Sequence, residues 1–218
     1  LRFDLSGTGD SAGDHAEATW QQWQAETAAA LTAAPALSGA RQAVILGARA
    51  GALLAAAATA AAPTAAAAVI LAEPVLTGEE MVADLERRQK IKDMMTGAAA
   101  PAPAAAAAAA AGTDTVTDDV RDFGGFAVST TLLQQARQAD LLASLPDGVP
   151  VHALRVSGGK NFPVAWQPLL ERASASSGSA AIIADKPFWG QLEYYESPLV
   201  NQAIADLLTH QAPSSATP

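Results

Sequence analysis

Ala43-Val-Ile-Leu-Gly-Ala-Arg-Ala-Gly-Ala-Leu-Leu54 decides how this chain folds. The apolar run Ala43 to Leu46 leads into Gly47-Ala48-Arg49-Ala50-Gly51, and an alanine- and leucine-rich stretch follows. It reads as a buried strand, a glycine-flanked turn and a helix. A strand that is apolar at every position has both faces covered, as in a parallel sheet between helix layers. In the G-x-S-x-G form of such a turn, a serine stands above the sheet edge as a nucleophile. Here the middle residue is Arg49. A guanidinium stays protonated and carries only donors, so it cannot attack a carbonyl. Gly47 and Gly51 are expected to let the chain turn sharply, leaving Arg49 strained or at positive φ.

Outward from this turn, helices and apolar strands alternate. Upstream, Leu1 to Leu5 reads as a short strand, and Ser6 to Gly13 as a loop with glycines at 7, 9 and 13. Asp14 is a candidate cap for a helix over 16–34 that carries Trp20, Trp23 and Leu31 on one face. Strand 42–46 is followed by a helix over 49–62 that Pro63 ends. Strand 67–72 closes at Glu73-Pro74. Thr77 and Glu80 are spaced as a capping box for a helix over 77–95. Residues 98–112 hold two prolines and an eight-alanine run and read as a linker. A Gly124-Gly125 break and a helix with Leu132, Leu133, Ala136 and Leu141 lie in 114–144. Strand 150–156, helix 164–174, strand 180–184 and helix 194–209 complete the series. The expected layout is core over 1–97, linker over 98–112, helical insertion or cap over 113–149, core again over 150–210, and a tail over 211–218. The alternation of helices with apolar strands 42–46, 67–72, 150–156 and 180–184 is expected to give a parallel sheet with helices on both faces.

Composition narrows the chemistry. The chain has 218 residues, a formal net charge of −9 and only 16% charged residues, with no basic stripe, so nucleic acid is not an expected partner. There is no cysteine, which removes disulfides and thiolate metal sites. His15, His152 and His210 lack metal-ligand spacing, so neither a metal nor a cofactor is expected. No uncharged apolar run reaches membrane-spanning length, because Arg49 interrupts the longest candidate. A cytoplasmic location follows as an expectation. The chain begins at Leu1, so a missing N-terminus is inferred and a leader remains open.

Three further segments join the turn. They are Asp4-Leu-Ser-Gly-Thr-Gly-Asp-Ser11, Glu73-Pro-Val-Leu-Thr-Gly-Glu79 and Pro187-Phe-Trp-Gly-Gln-Leu-Glu193 with Pro198 beyond it. Together with Gly47 to Ala52 they resemble the exosortase A system-associated hydrolases of type 2, an α/β-hydrolase-like group encoded beside bacterial exosortase and exopolysaccharide genes. The resemblance covers most of the chain. It implies an α/β-hydrolase fold fragment lacking its first strands, with 42–46, 67–72, 150–156 and 180–184 as parallel neighbours in that order. Leu1 to Leu5 would then be the fourth strand of that fold, either detached or slid beside 42–46. It also implies a hydrolase of an ester, thioester or acyl bond, with a small-molecule or acyl substrate.

The residues themselves do not supply the usual triad. Arg49 holds the nucleophile position. Ser157-Gly-Gly-Lys-Asn161 follows the strand where an acid is expected, and Asp185-Lys-Pro-Phe-Trp189 the strand where a histidine is expected. Two readings stay open. One is a hydrolase working without a triad. The other is a non-catalytic binding or accessory protein whose elbow arginine holds an anionic ligand or a partner's carboxylate. Arg49 is either an anion contact at a helix N-terminus or a salt-bridge partner of Glu73. Glu73 and Glu79 are a candidate acid/base pair, with capping and ion pairing as the simpler account. Ser11 is a candidate nucleophile or a turn-stabilising hydroxyl, and His15 a candidate acid/base group. Phe188 and Trp189 either line a pocket at a strand end or pack in the core. The oligomeric state is not legible.

Overall fold

The computed structural model describes residues 1–97, 119–189 and 194–211. In chain order its elements are α1 (Trp20–Ser38), β1 (Ala43–Ala48), α2 (Gly51–Ala61), β2 (Ala66–Ala72), α3 (Gly78–Thr96), β3 (Val120–Phe123), β4 (Phe126–Ser129), α4 (Thr130–Arg137), α5 (Leu141–Ser144), β5 (Val151–Val156), α6 (Gln167–Ala175), β6 (Ser179–Ile183) and α7 (Pro198–Gln211). They divide into two compact units. One is built from Leu1–Thr27 and Thr77–Asp140, the other from Ala28–Leu76 and Leu141–Pro218. The linker expected over 98–112 and the tail beyond 211 lie outside the described residues, as do residues 190–193 of the Pro-Phe-Trp segment.

The second unit holds the sheet. Its four strands run parallel in the order β1-β2-β5-β6, which is the order the family resemblance implies. Alternation along parallel strands sends successive side chains to opposite faces. Ile70, Leu154, Val156 and Ile183 share one face and pack with Val200 of α7. The other face meets α2 against β1 and β2, and α6 against β5 and β6. The interior of α2 is mostly alanine, and Ala52, Ala55, Ala56 and Ala58 are all buried. Small side chains let that helix lie close on the strands. A sheet covered by helices on both faces is an α/β arrangement.

One buried polar group sits inside this sheet. His152 is 4% exposed, and its Nδ1 lies 2.9 Å from Ser179 Oγ on β6. Burial pushes the imidazole pKa below its usual value, because a charged ring is penalised there. The unfolded chain therefore binds a proton at a pH where the folded one does not. Its share of stability is full above about pH 6.5 and is lost as the pH falls toward the depressed folded value. Urea midpoints should drop between about pH 7 and pH 5.5 in wild type, and His152→Val should remove that drop. A His152→Val variant with the wild-type pH slope would contradict this assignment.

The other unit is built around α3 and α4. Thr77 caps α3 as expected, its Oγ1 accepting the Glu80 N–H at 3.2 Å. The Gly124-Gly125 break is the turn of an antiparallel hairpin, β3 paired with β4. Ser129 ends the hairpin and caps α4 by accepting the Leu132 N–H at 3.3 Å. Four readings of the sequence need correction. The helix expected to carry Leu132, Leu133, Ala136 and Leu141 is two, α4 and α5, with Leu141 opening the second. Leu1 to Leu5 is not a strand; its groups bond locally, with Thr8 N–H donating to Leu5 O and Asp10 N–H to the Asp4 carboxylate. Helix α1 starts at Trp20 rather than 16, because Thr19 Oγ1 accepts the Gln22 N–H while Asp14 serves a separate turn at Ala16. Helix α7 starts at Pro198 rather than 194. Ser197 accepts the Val200 N–H there, and proline suits the first helical turn.

Candidate functional site

The C-terminal ends of β1, β2, β5 and β6 lie side by side in the second unit, and in open parallel sheets ligands bind beyond such ends. At the end of β1 the chain turns on Arg49, whose φ is +53°. Left-handed backbone costs a residue with a Cβ about 1–2 kcal/mol. Main-chain bonds hold it there. Arg49 N–H donates to Ala72 O at 3.0 Å, and Arg49 O accepts from Ala52 N–H at 3.1 Å and Val75 N–H at 3.4 Å. Gly47 lets α2 fold back, since a Cβ there would meet Gly51 O at 2.5 Å and Ala52 Cα at 2.7 Å. Gly51 has no such role: a Cβ on it would meet nothing within 4 Å. The expectation that both glycines are needed is therefore half right. Arg49 itself absorbs the positive φ.

The salt bridge expected between Arg49 and Glu73 is not what forms. Glu73 also has positive φ, +47°, at the end of β2. That conformation aims its carbonyl at Arg49, whose Nη1 donates to Glu73 O at 3.4 Å. The Glu73 carboxylate instead accepts the Val156 N–H at 2.6 Å, tying the end of β2 to the end of β5. Among the described residues no carboxylate pairs with Arg49 within 4.0 Å. The guanidinium is half-buried, beside the N-terminus of α2, and no side chain caps that helix.

After β5, Ser157 Oγ accepts the Gly159 N–H, and Arg155 donates to Asn161 O. After β6 stands Asp185. Its carboxylate accepts from Ser197 Oγ at 2.5 Å, Tyr195 OH at 2.6 Å and the Lys186 N–H at 2.7 Å. The Ser197 hydroxyl first, and Tyr195 with it, hold the Asp185 pKa below the ordinary range. The Lys186 ammonium lies 4.2 Å from the Tyr195 ring centroid. This cluster moors the segment after β6 to the start of α7. The sequence reading did not find it; Ser197-Pro198 at a helix start was the available signal.

The remaining candidates scatter. The rings of Phe188 and Trp189 lie tilted with centroids 4.6 Å apart and pack on the core cluster with Ala203, Ile204 and Leu207 of α7. Trp189 Nε1 is buried without an acceptor among the described residues. Glu79 pairs with Arg137 in the other unit, so each glutamate of the expected acid/base pair has its own partner. Ser11 lies in that unit too, donating to Asp4 O at 2.7 Å as a turn hydroxyl. His15 is also there, its ring 5.5 Å from that of Trp23. His152 sits near the start of β5, at the opposite end of the sheet from Arg49. The side chain of His210 is outside the described residues.

No family model matches the chain, and no curated protein matches it. Solved structures do. Mouse alpha/beta hydrolase domain-containing protein 10 is similar with a TM-score of 0.56 at 21% identity, over 97% of this chain and 78% of that one. Est1E from Butyrivibrio proteoclasticus, solved with ferulic acid bound, is similar with a TM-score of 0.57 at 17% identity, over 95% of this chain and 75% of that one. The proline iminopeptidase of Mycobacterium smegmatis is similar with a TM-score of 0.54 at 18% identity, over 95% of this chain and 78% of that one. The shared architecture is the α/β-hydrolase fold.

Proposed function

We propose that this α/β-hydrolase-fold chain binds an anionic ligand, a carboxylate on a small acyl compound or a partner, through Arg49 at the elbow turn. The observation that carries the reading is the half-buried Arg49 guanidinium. It makes one long hydrogen bond to a carbonyl and has no carboxylate partner among the described residues. A partly buried cation without a counter-charge is costly unless an anion completes it. Guanidinium is well suited to a carboxylate because it forms two parallel bonds with it. The uncapped N-terminus of α2 adds positive potential at the same place. Triad chemistry has little support, since Arg49 cannot be a nucleophile and Ser157 and Asp185 are engaged locally. The motifs shared with exosortase A-associated hydrolases support a role in bacterial surface export or exopolysaccharide systems, as an accessory rather than a catalyst.

The test is calorimetry with acetate, butyrate, octanoate and benzoate beside turnover of p-nitrophenyl butyrate. Wild type should bind at least one of the carboxylates, and Arg49→Ala should weaken that binding by about a hundredfold, the loss expected when a charge-assisted bidentate contact goes. Its melting temperature should stay at the wild-type value, because the turn is held by main-chain bonds. Saturating ester turnover or stoichiometric fluorophosphonate labelling would overturn the reading in favour of a hydrolase. A fall in melting temperature with unchanged binding would make Arg49 structural.

A further inference from the structure

We propose that the C-terminal half of α3 is a seat for an anionic phospholipid surface. The stretch Arg87-Arg-Gln-Lys-Ile-Lys-Asp-Met-Met95 carries the case. Ile91, Met94 and Met95 fall at i, i+3 and i+4, so they share one side of the helix. They are 51%, 76% and 83% exposed. Large apolar side chains left in water together mark a contact surface more often than scattered single ones do. Around that side stand Arg87, Arg88, Lys90 and Lys92. These are four of the 13 cations of a chain whose net charge is −9, gathered into six residues. Of the nearby carboxylates, one pairs with two of these cations and the others are engaged elsewhere. Asp84 serves Arg87 and Arg88, Glu86 serves Arg121 and Arg137, and Asp93 accepts from Gln89. Lys90 and Lys92 have no carboxylate partner among the described residues.

The hairpin adds a second apolar group within the same unit. A Cβ on Gly124 at its turn would meet Lys92 Nζ at 3.4 Å, so the turn lies beside α3. Phe126, just past that turn, is 70% exposed. An apolar strip edged by cations fits a bilayer interface. Flexible methionines enter the acyl boundary, while lysine and arginine extend to headgroup phosphates. A second copy of this chain fits poorly, because facing α3 helices would bring like charges together.

The full chain is tested by sedimentation with phosphatidylcholine vesicles made with and without phosphatidylglycerol. Binding to the anionic vesicles should exceed binding to neutral ones by about tenfold and vanish at high salt. Lys90→Glu with Lys92→Glu should remove the preference for phosphatidylglycerol. Met94→Ser with Met95→Ser should weaken binding by about tenfold. Both double variants should keep the wild-type melting temperature, since every changed side chain is exposed. Arg49→Ala should bind vesicles as wild type does, which separates this surface from the elbow site. Equal affinity for neutral vesicles, no sedimentation with anionic ones, or double variants that bind like wild type would each overturn the proposal. So would a dimer in solution that Met94→Ser with Met95→Ser dissolves, since α3 would then face another copy.

Discussion

Gly78→Ala should strongly destabilise the unit built on α3 and α4. A Cβ at Gly78 would stand 1.5 Å from Ala136 O and 2.6 Å from the carbonyl carbon. Both are main-chain atoms, so no side chain can swing aside. Gly78 opens α3 directly against the last turn of α4, and its N–H donates to Ala139 O at 2.8 Å. Making room would separate the two helices and break that bond together with the Thr77 cap. Overpacking of this kind against backbone belongs at the high end of single-residue effects, about 3–5 kcal/mol. For a chain of this size that corresponds to a melting temperature lowered by roughly 10 °C. A variant melting within about 2 °C of wild type would show that the helices can separate freely.

Gly47→Ala should damage the elbow while Gly51→Ala leaves it intact. At Gly47 the new Cβ would lie 2.5 Å from Gly51 O, 2.7 Å from Ala52 Cα and 2.8 Å from Ala55 Cβ. Helix α2 would have to move off β1, loosening the bonds that hold Arg49 in its left-handed conformation. The expected cost is about 2–4 kcal/mol, with carboxylate binding lost as well. Gly51 is the first residue of α2, with open space at its Cβ position. Alanine there should be neutral or stabilising by up to about 1 kcal/mol, through the helix preference alone. Parallel thermal melts decide the point, and the opposite ranking of the two variants would remove Gly47 from its role.

The contrast between these glycines shows what the sequence could and could not express. Strands β2 and β5 were legible because parallel strands buried on both faces are apolar at nearly every position, and β1 and β6 carry the same apolar runs although they are only partly buried. The Thr77 cap was legible because capping is local. The turn at Arg49 was visible from glycine spacing, but spacing cannot tell a glycine needed for close approach from one that is merely permitted. Leu1 to Leu5 looked like a strand because its side chains suit one; a strand also needs a partner, and its main chain bonds to its own loop instead. The hairpin over 120–129 was within reach, since two glycines between short β-prone runs mark a tight turn. The Glu73 bond to Val156 N–H was not. It links positions 83 apart, and nothing near either residue announces it. The apolar and basic side of α3 lay in plain view as letters, yet only its exposure distinguishes it from a buried helix face.

Three main-chain bonds fix the tip of the elbow, Arg49 N–H to Ala72 O and Arg49 O from Ala52 and Val75, and the arginine side chain adds a single long bond to Glu73 O. Architecture and chemistry are thereby uncoupled at one residue. The turn is a socket indifferent to what is plugged into it, provided the occupant tolerates a left-handed backbone. Exchanging the residue at this one position would change what the turn offers a ligand and leave the frame that carries it unaltered. Arginine at this position is then a choice of chemistry that the frame itself does not require.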